Sequence, residues 1–204
     1  MKEELIFYFD NFGEENTQKV CERVIMRLKK GDIKKVAIAS TSGKTALIFA
    51  KSILSSLNDI KIFCVSDPPW AKGYPFISQG NRQELEKIKV EIVDYAPYVC
   101  HTYSERVSEN VYGLPDLMGI VFDVFRMVGG NGLKVAIEIG FMLTNCGKVN
   151  PGEHIISVGG TEKGADTAIV MKTAFSVDIF SKIPDKRMEV IEILCMPLKK
   201  KWWW

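Results

Sequence analysis

Two short segments of this chain carry the residue types that hold an anion. The first, Ser40-Thr41-Ser42-Gly43-Lys44-Thr45, follows the apolar run Val36-Ala37-Ile38-Ala39 and precedes an amphipathic stretch. Gly43 permits a tight turn and close backbone approach to a ligand. A helix starting at Lys44 offers unpaired N–H groups and the positive end of its dipole. The hydroxyls of Ser40, Thr41, Ser42 and Thr45 add donors, and Lys44 adds a charge. The second segment supplies Gly159, Gly160 and Thr161, then Gly164, Ala165, Asp166 and Thr167. It also follows a strand pattern, so it is expected to open on the same sheet edge as the first and to act as a lid over it. Lys163 adds a cation there, whereas Glu162 and Asp166 oppose an anion unless they turn away or accept from ligand hydroxyls. Asn16 and Thr17 are further candidate contacts. Serine and threonine also cap ordinary helices, and glycines make ordinary turns. Two such loops on one crevice favour the ligand.

Other chemistry finds less support in the residues. Gly43-Lys44-Thr45 ends like a nucleotide-triphosphate P-loop, but the first glycine of that pattern falls on Ile38, so the loop is too short. No dinucleotide fingerprint is present, because Gly129-Gly130-Asn131-Gly132 and the 159–164 loop both lack its spacing. Acid–base candidates are His101, Asp67, Asp94, Asp166 and Glu138. Cys100 lies beside His101, yet a nucleophile and its base usually come from distant segments. No catalytic constellation emerges. The five cysteines form no CxxC pair and there are two histidines, so reduced, buried thiols and no metal site are expected.

The elements that must position these loops read as strand and helix in alternation. Glu14 and Glu15 suit a helix start, with Asn16 or Thr17 as its cap. Val20, Val24, Ile25 and Leu28 recur at helical spacing up to Gly31. Strands are predicted at 36–39, 60–65, 90–93, 154–158, 168–171 and 188–195. Helices are predicted from Lys44 to about 57, at 81–86 with Asn81 as cap, and at 116–127 and 132–144. The pattern predicts one α/β domain over 1–204, a three-layer α/β/α architecture with a mainly parallel sheet of five to six strands, and a helical insertion at about 98–150. The helix at 116–127 is apolar on most sides, which implies burial between layers or a homo-oligomer contact. The tail Lys199-Lys200-Lys201-Trp202-Trp203-Trp204 fits such an assembly as well.

Composition bounds the partners. The chain has 204 residues, 47% hydrophobic and 25% charged, with 27 basic and 25 acidic residues. That excludes disorder and leaves no basic surplus for sequence-independent nucleic-acid binding. No run reaches the length of a membrane span, and MKEELIFYFDNF lacks the basic region and long apolar run of an export leader. A cytoplasmic protein without nucleic-acid or membrane partners is expected.

The two loops, on this strand pattern, resemble the carboxy-terminal (α/β) domain of pyruvate kinase over about residues 33–97 and 153–174. In that family a Ser-Thr-Ser-Gly-x-Thr loop grips a phosphate of a sugar bisphosphate, and a later loop covers it. Small stand-alone proteins related to that domain share Glu15-Asn16-Thr17, the Ser/Thr-Gly loop, Gly159-Gly160-Thr161 and Gly164 to Thr167, and the resemblance to them spans nearly the whole chain. It implies a sheet ordered 3-2-1-4-5 and a bound phosphate ligand. A chain of this length has no room for the ~250-residue barrel that carries pyruvate kinase chemistry, so no such activity is expected. The Arg- and Trp-bearing stretch that holds the second sugar phosphate is replaced by Thr161-Glu162-Lys163. This favours a single phosphate, in a sugar phosphate or a mononucleotide such as flavin mononucleotide (FMN). The flavin ring would lie against Tyr95, Tyr98, Trp70 or Phe141. The alternatives are a flavin- or phosphate-substrate-dependent enzyme using the same crevice, or an oligomeric interaction module.

Overall fold

The computed structural model describes residues 3–68, 76–99 and 111–201. Within them the strands are β1 (Phe7–Phe9), β2 (Lys35–Ala39), β3 (Lys61–Val65), β4 (Glu91–Val93), β5 (His154–Gly159), β6 (Thr167–Lys172) and β7 (Glu189–Pro197). The helices are α1 (Thr17–Leu28), α2 (Lys44–Leu54), α3 (Gln79–Lys87) and α4 (Leu117–Asn145). All strands join one seven-stranded sheet in the order β1-β7-β6-β5-β2-β3-β4. The stretch β4-β3-β2-β5-β6 matches the expected 3-2-1-4-5 order.

The central strands are apolar throughout because both faces are covered. Side chains alternate across the sheet, so each strand feeds two cores. Val36, Ile38, Ile62, Cys64, Ile156 and Val158 pack beneath α1, α2 and α3. Ala37, Phe63, Val65, Ile155, Ile169 and Met171 pack against the second half of α4. Helices therefore lie on both faces of the sheet.

Three details differ from the sequence reading. The sheet has a seventh strand, β1, whose three residues are too few to show a period and which pairs in parallel with β7. Strand β6 runs antiparallel to both its neighbours, because the short loop 160–166 returns the chain directly without a crossover helix. The helices predicted at 116–127 and 132–144 are both present, as the two halves of α4 on either side of Gly130, whose φ of 79° is not helical. Caps also shift. Helix α3 begins two residues early because Ser78 Oγ accepts from Asn81 N at 3.2 Å. Neither Asn16 nor Thr17 caps α1 with its side chain. Asn16 Nδ2 instead donates to Asn11 O at 2.8 Å.

Two contacts lock the layers. Arg27 on α1, 3% exposed, is held by Asp32 at 2.6 Å and by Glu192 of β7 at 2.8 Å. On the opposite face α4 sits directly on the end of β5: a Cβ at Gly159 would lie 2.2 Å from Gly132 O and 2.7 Å from Ala136 N. Those neighbours are helix backbone and cannot step aside. Gly159→Ala is expected to cost about 1–3 kcal/mol through overpacking. Urea unfolding should show a lower midpoint at unchanged slope.

Candidate functional site

Strands β2 and β5 are adjacent and parallel, with Val36 opposite Ile156 and Ile38 opposite Val158. From β2 the chain moves through α2 to β3 on one side, whereas β5, reached through α4, lies on the other. Such a reversal leaves a crevice beyond the carboxyl ends of the strands. Here it is a cavity of about 1110 Å³ whose walls include Ser40, Thr41, Ser42, Lys44 and Thr45 from the first loop, and Gly160, Thr161, Glu162, Lys163 and Gly164 from the second. The two loops thus share one cavity.

The first loop is shaped from within. Gly43 has a φ of 83°, a left-handed conformation that favours glycine, and its missing Cβ would press on Ile77, Leu85 and Asn81 of the α3 layer at 3.2–3.3 Å. Its role is to turn the chain and let α3 approach. Asn81 Nδ2 donates to Ser42 O at 2.8 Å, and Ser66 Oγ donates to Thr41 O at 3.1 Å. Ser40 Oγ accepts from Ala46 N at 3.1 Å, and Gly43 O accepts from Leu47 N at 3.0 Å. Of the first four amides of α2, which have no partner deeper in the helix, those of Lys44 and Thr45 remain to serve a ligand. Beneath the loop, burial pushes the Cys64 thiol up to about 12, so it stays protonated.

The second loop divides into a tip and a base. Gly160 to Gly164 form the tip and line the cavity. Ala165, Asp166 and Thr167 are buried behind it. The Asp166 carboxylate is fully buried and accepts from Gly13 N at 3.2 Å, Thr161 N at 3.0 Å and Thr167 Oγ1 at 2.8 Å. It organises the loop and turns away from the cavity, the arrangement that removes its conflict with an anion. Thr17 Oγ1 accepts from Ala165 N at 3.0 Å and itself donates to Glu14 O at 2.7 Å, so Thr17 pins the loop while lining the cavity. Asn16 is held in the preceding turn. The Thr161 side chain, in a residue 2% exposed, sits in the cavity wall next to the Asp166 carboxyl and helps to hold it down.

The other walls bring residues that spacing did not connect. Helix α4 contributes Arg126, Asn131, Lys134 and Glu138; Asp67 stands just past β3, and Tyr98 follows β4. Lys134 Nζ lies 2.5 Å from Glu138 Oε2, with both side chains at most 4% exposed. Tyr98 donates its hydroxyl to Asp67. The Asp67 carboxyl is raised, first by burial and further by the charge of Glu138. A signal for the α4 pair was present in the sequence: residues 132–144 are apolar on nearly every side, which leaves an i,i+4 Lys–Glu couple no exposed face.

The remaining candidates sit elsewhere. Asp94 is paired with Arg82. Phe141 is fully buried in the second core, and Tyr95 is 79% exposed; neither lines the cavity. Cys100, His101, Trp70 and the Trp202–Trp204 tail lie outside the described residues. Among the described residues no group of three or more His, Cys, Asp or Glu could hold a metal ion, and no helix is long and apolar enough to cross a membrane. A comparison with models of known protein families finds none that matches the chain.

Burial raises the Asp166 carboxyl above its ordinary value despite the donors around it. The folded protein therefore holds this proton more tightly than the unfolded chain does. The stabilisation is complete below the unfolded value and is lost as pH rises through the folded one. Asp166→Asn is expected to flatten the stability profile above the ordinary carboxyl range, from about pH 4 upward. It should also cost about 1–3 kcal/mol, because an amide cannot accept from all three donors. Denaturation midpoints of both proteins across that range measure both effects.

Proposed function

We propose that this chain binds a phosphate-bearing small molecule in the cavity at the β2–β5 switch, with Ser40 to Thr45 as the grip and the 160–164 tip as the lid. The observation that carries the reading is the meeting of two donor sets in one cavity. These are the first-turn amides of α2 with Lys44, and the second loop with Thr161 and Lys163. An anion held in that cavity has a helix dipole, two cations and amide and hydroxyl groups in the surrounding wall. The cavity, about 1110 Å³, is far larger than a phosphate needs, so the ligand has a substantial organic part. A mononucleotide such as FMN or a sugar phosphate is of suitable size.

The strand order supports kinship with the pyruvate kinase carboxy-terminal domain, as does the placement of both loops at the switch point. The reading is of a binding module. Homo-oligomer formation is part of it. The first half of α4 leaves Leu117, Ile120, Val124 and Met127 between 49% and 71% exposed, at the spacing of one helix face.

Titration calorimetry with inorganic phosphate and with FMN tests the site. Saturable binding is expected, weakened roughly tenfold by Lys44→Ala, which removes a charge-assisted contact, and by a smaller factor by Thr161→Val. Gly43 is not a suitable probe, because its substitution disturbs packing against α3. Absence of binding by both compounds would refute the reading.

A further inference from the structure

We infer that the α4 side of this cavity is a second pole that recognises the hydroxyl groups of a polyol or sugar chain carried by the phosphate, through Asp67, Tyr98 and the Lys134–Glu138 pair. This inference rests on the phosphate-binding reading and names the class of its ligand.

Lys134 and Glu138 are 2% and 3% exposed, yet both face the cavity. A buried ion pair is often no more stable than apolar residues of the same volume. Leu133, Ala136 and Ile137 on the same turns show that this helix packs apolar side chains well. The pair is held stiffly: Lys134 Nζ is 2.5 Å from Glu138 Oε2 and 5.7 Å from the centre of the Phe122 ring. Asp67, whose carboxylate accepts from Tyr98, lies within the field of both Glu138 and Lys134. Three elements thus bring two carboxylates, one ammonium and one phenol to the same wall.

The signs of these groups select the ligand. A second phosphate would face Asp67 and Glu138, and a bare cation would face Lys134. An alkyl chain would cover charged groups without giving them partners, which is costly. A hydroxyl both donates to a carboxylate and accepts from an ammonium, so it suits a mixed wall. The pole also adjoins the grip: Thr41 and Asp67 line the same cavity, and the Thr41 side chain counters the rise of the Asp67 carboxyl. A monoester of several carbons reaches from one to the other.

The test compares D-sorbitol 6-phosphate with n-hexyl phosphate, which have equal chain lengths and one phosphate each and differ in hydroxyls, alongside inorganic phosphate. Calorimetry on the full chain is expected to show sorbitol 6-phosphate binding roughly tenfold or more tightly than hexyl phosphate. Asp67→Asn should bring the two affinities together. Glu138→Gln alone strands a buried ammonium and threatens folding, so the paired change Lys134→Met with Glu138→Leu serves as the second variant and should abolish the preference too. Equal affinities in the wild type, or tighter hexyl phosphate, overturn the second pole and leave the phosphate grip standing. If none of the three compounds binds, both readings fall.

Discussion

The molecule is organised by the reversal of direction between β2 and β5. Two parallel strands lie side by side, but the chain leaves β2 over one face of the sheet and arrives at β5 from the other. Right-handed crossovers enforce that split, since connections on opposite faces progress in opposite directions. Among the described residues, both flanking loops open into the gap above the paired strand ends. The cavity follows from topology before any side chain is chosen. Side chains then decide its chemistry.

Charge is placed with unusual deliberation around this opening. Asp166 is fully buried, but three donors converge on it, and it ties the second loop to Gly13 in the segment before α1. Arg27 is buried between two carboxylates and fastens α1 to β7. Arg27 is compensated by its two carboxylates, and Asp166, whose donors offset part of its desolvation, ties two segments together; both read as architecture. The Lys134–Glu138 pair is compensated too, but it stands in the wall of an open space, where apolar residues would pack as well. That difference in location distinguishes a brace from a recognition element.

Much of the fold could be read from the residues, and the reason is physical. Both faces of the sheet are covered, so Val36 to Ala39 and, interrupted only by Ser157, Ile155 to Val158 appear as apolar runs between turn signals. The amphipathic period of α1 and α2 is equally plain. Elements whose identity depends on distant partners were harder to read. β1 is a strand because β7 lies beside it, and β6 is antiparallel because its loop is short. The interruption at Gly130 was legible, because Gly129-Gly130-Asn131-Gly132 marks it. Within the candidate site, the two glycine and hydroxyl loops were legible because a ligand grip at a helix start is local in sequence. Asp67, Tyr98, Lys134 and Glu138 come from three segments joined only by folding, so no spacing rule could group them. The glycines of the second loop carried a mixed message. Gly159 and Gly164 serve close packing, against α4 and the Glu14–Thr17 segment, while Gly160 at the tip lines the cavity.

The outermost strands carry a consequence for how copies of this protein can meet. β1 and β4, which flank the sheet, have three residues each. β4 offers a ladder of only ~10 Å, and at the other end the part of β7 that β1 leaves uncovered, residues 189–194, carries Glu189 and Glu192 and pairs irregularly with β6, which discourages a strand from another molecule. Growth of the sheet across a boundary between molecules, the usual route to fibrous aggregates, is therefore blunted at both ends. Any self-recognition is left to side-chain surfaces, whose geometry closes into finite assemblies more readily than an open backbone edge does.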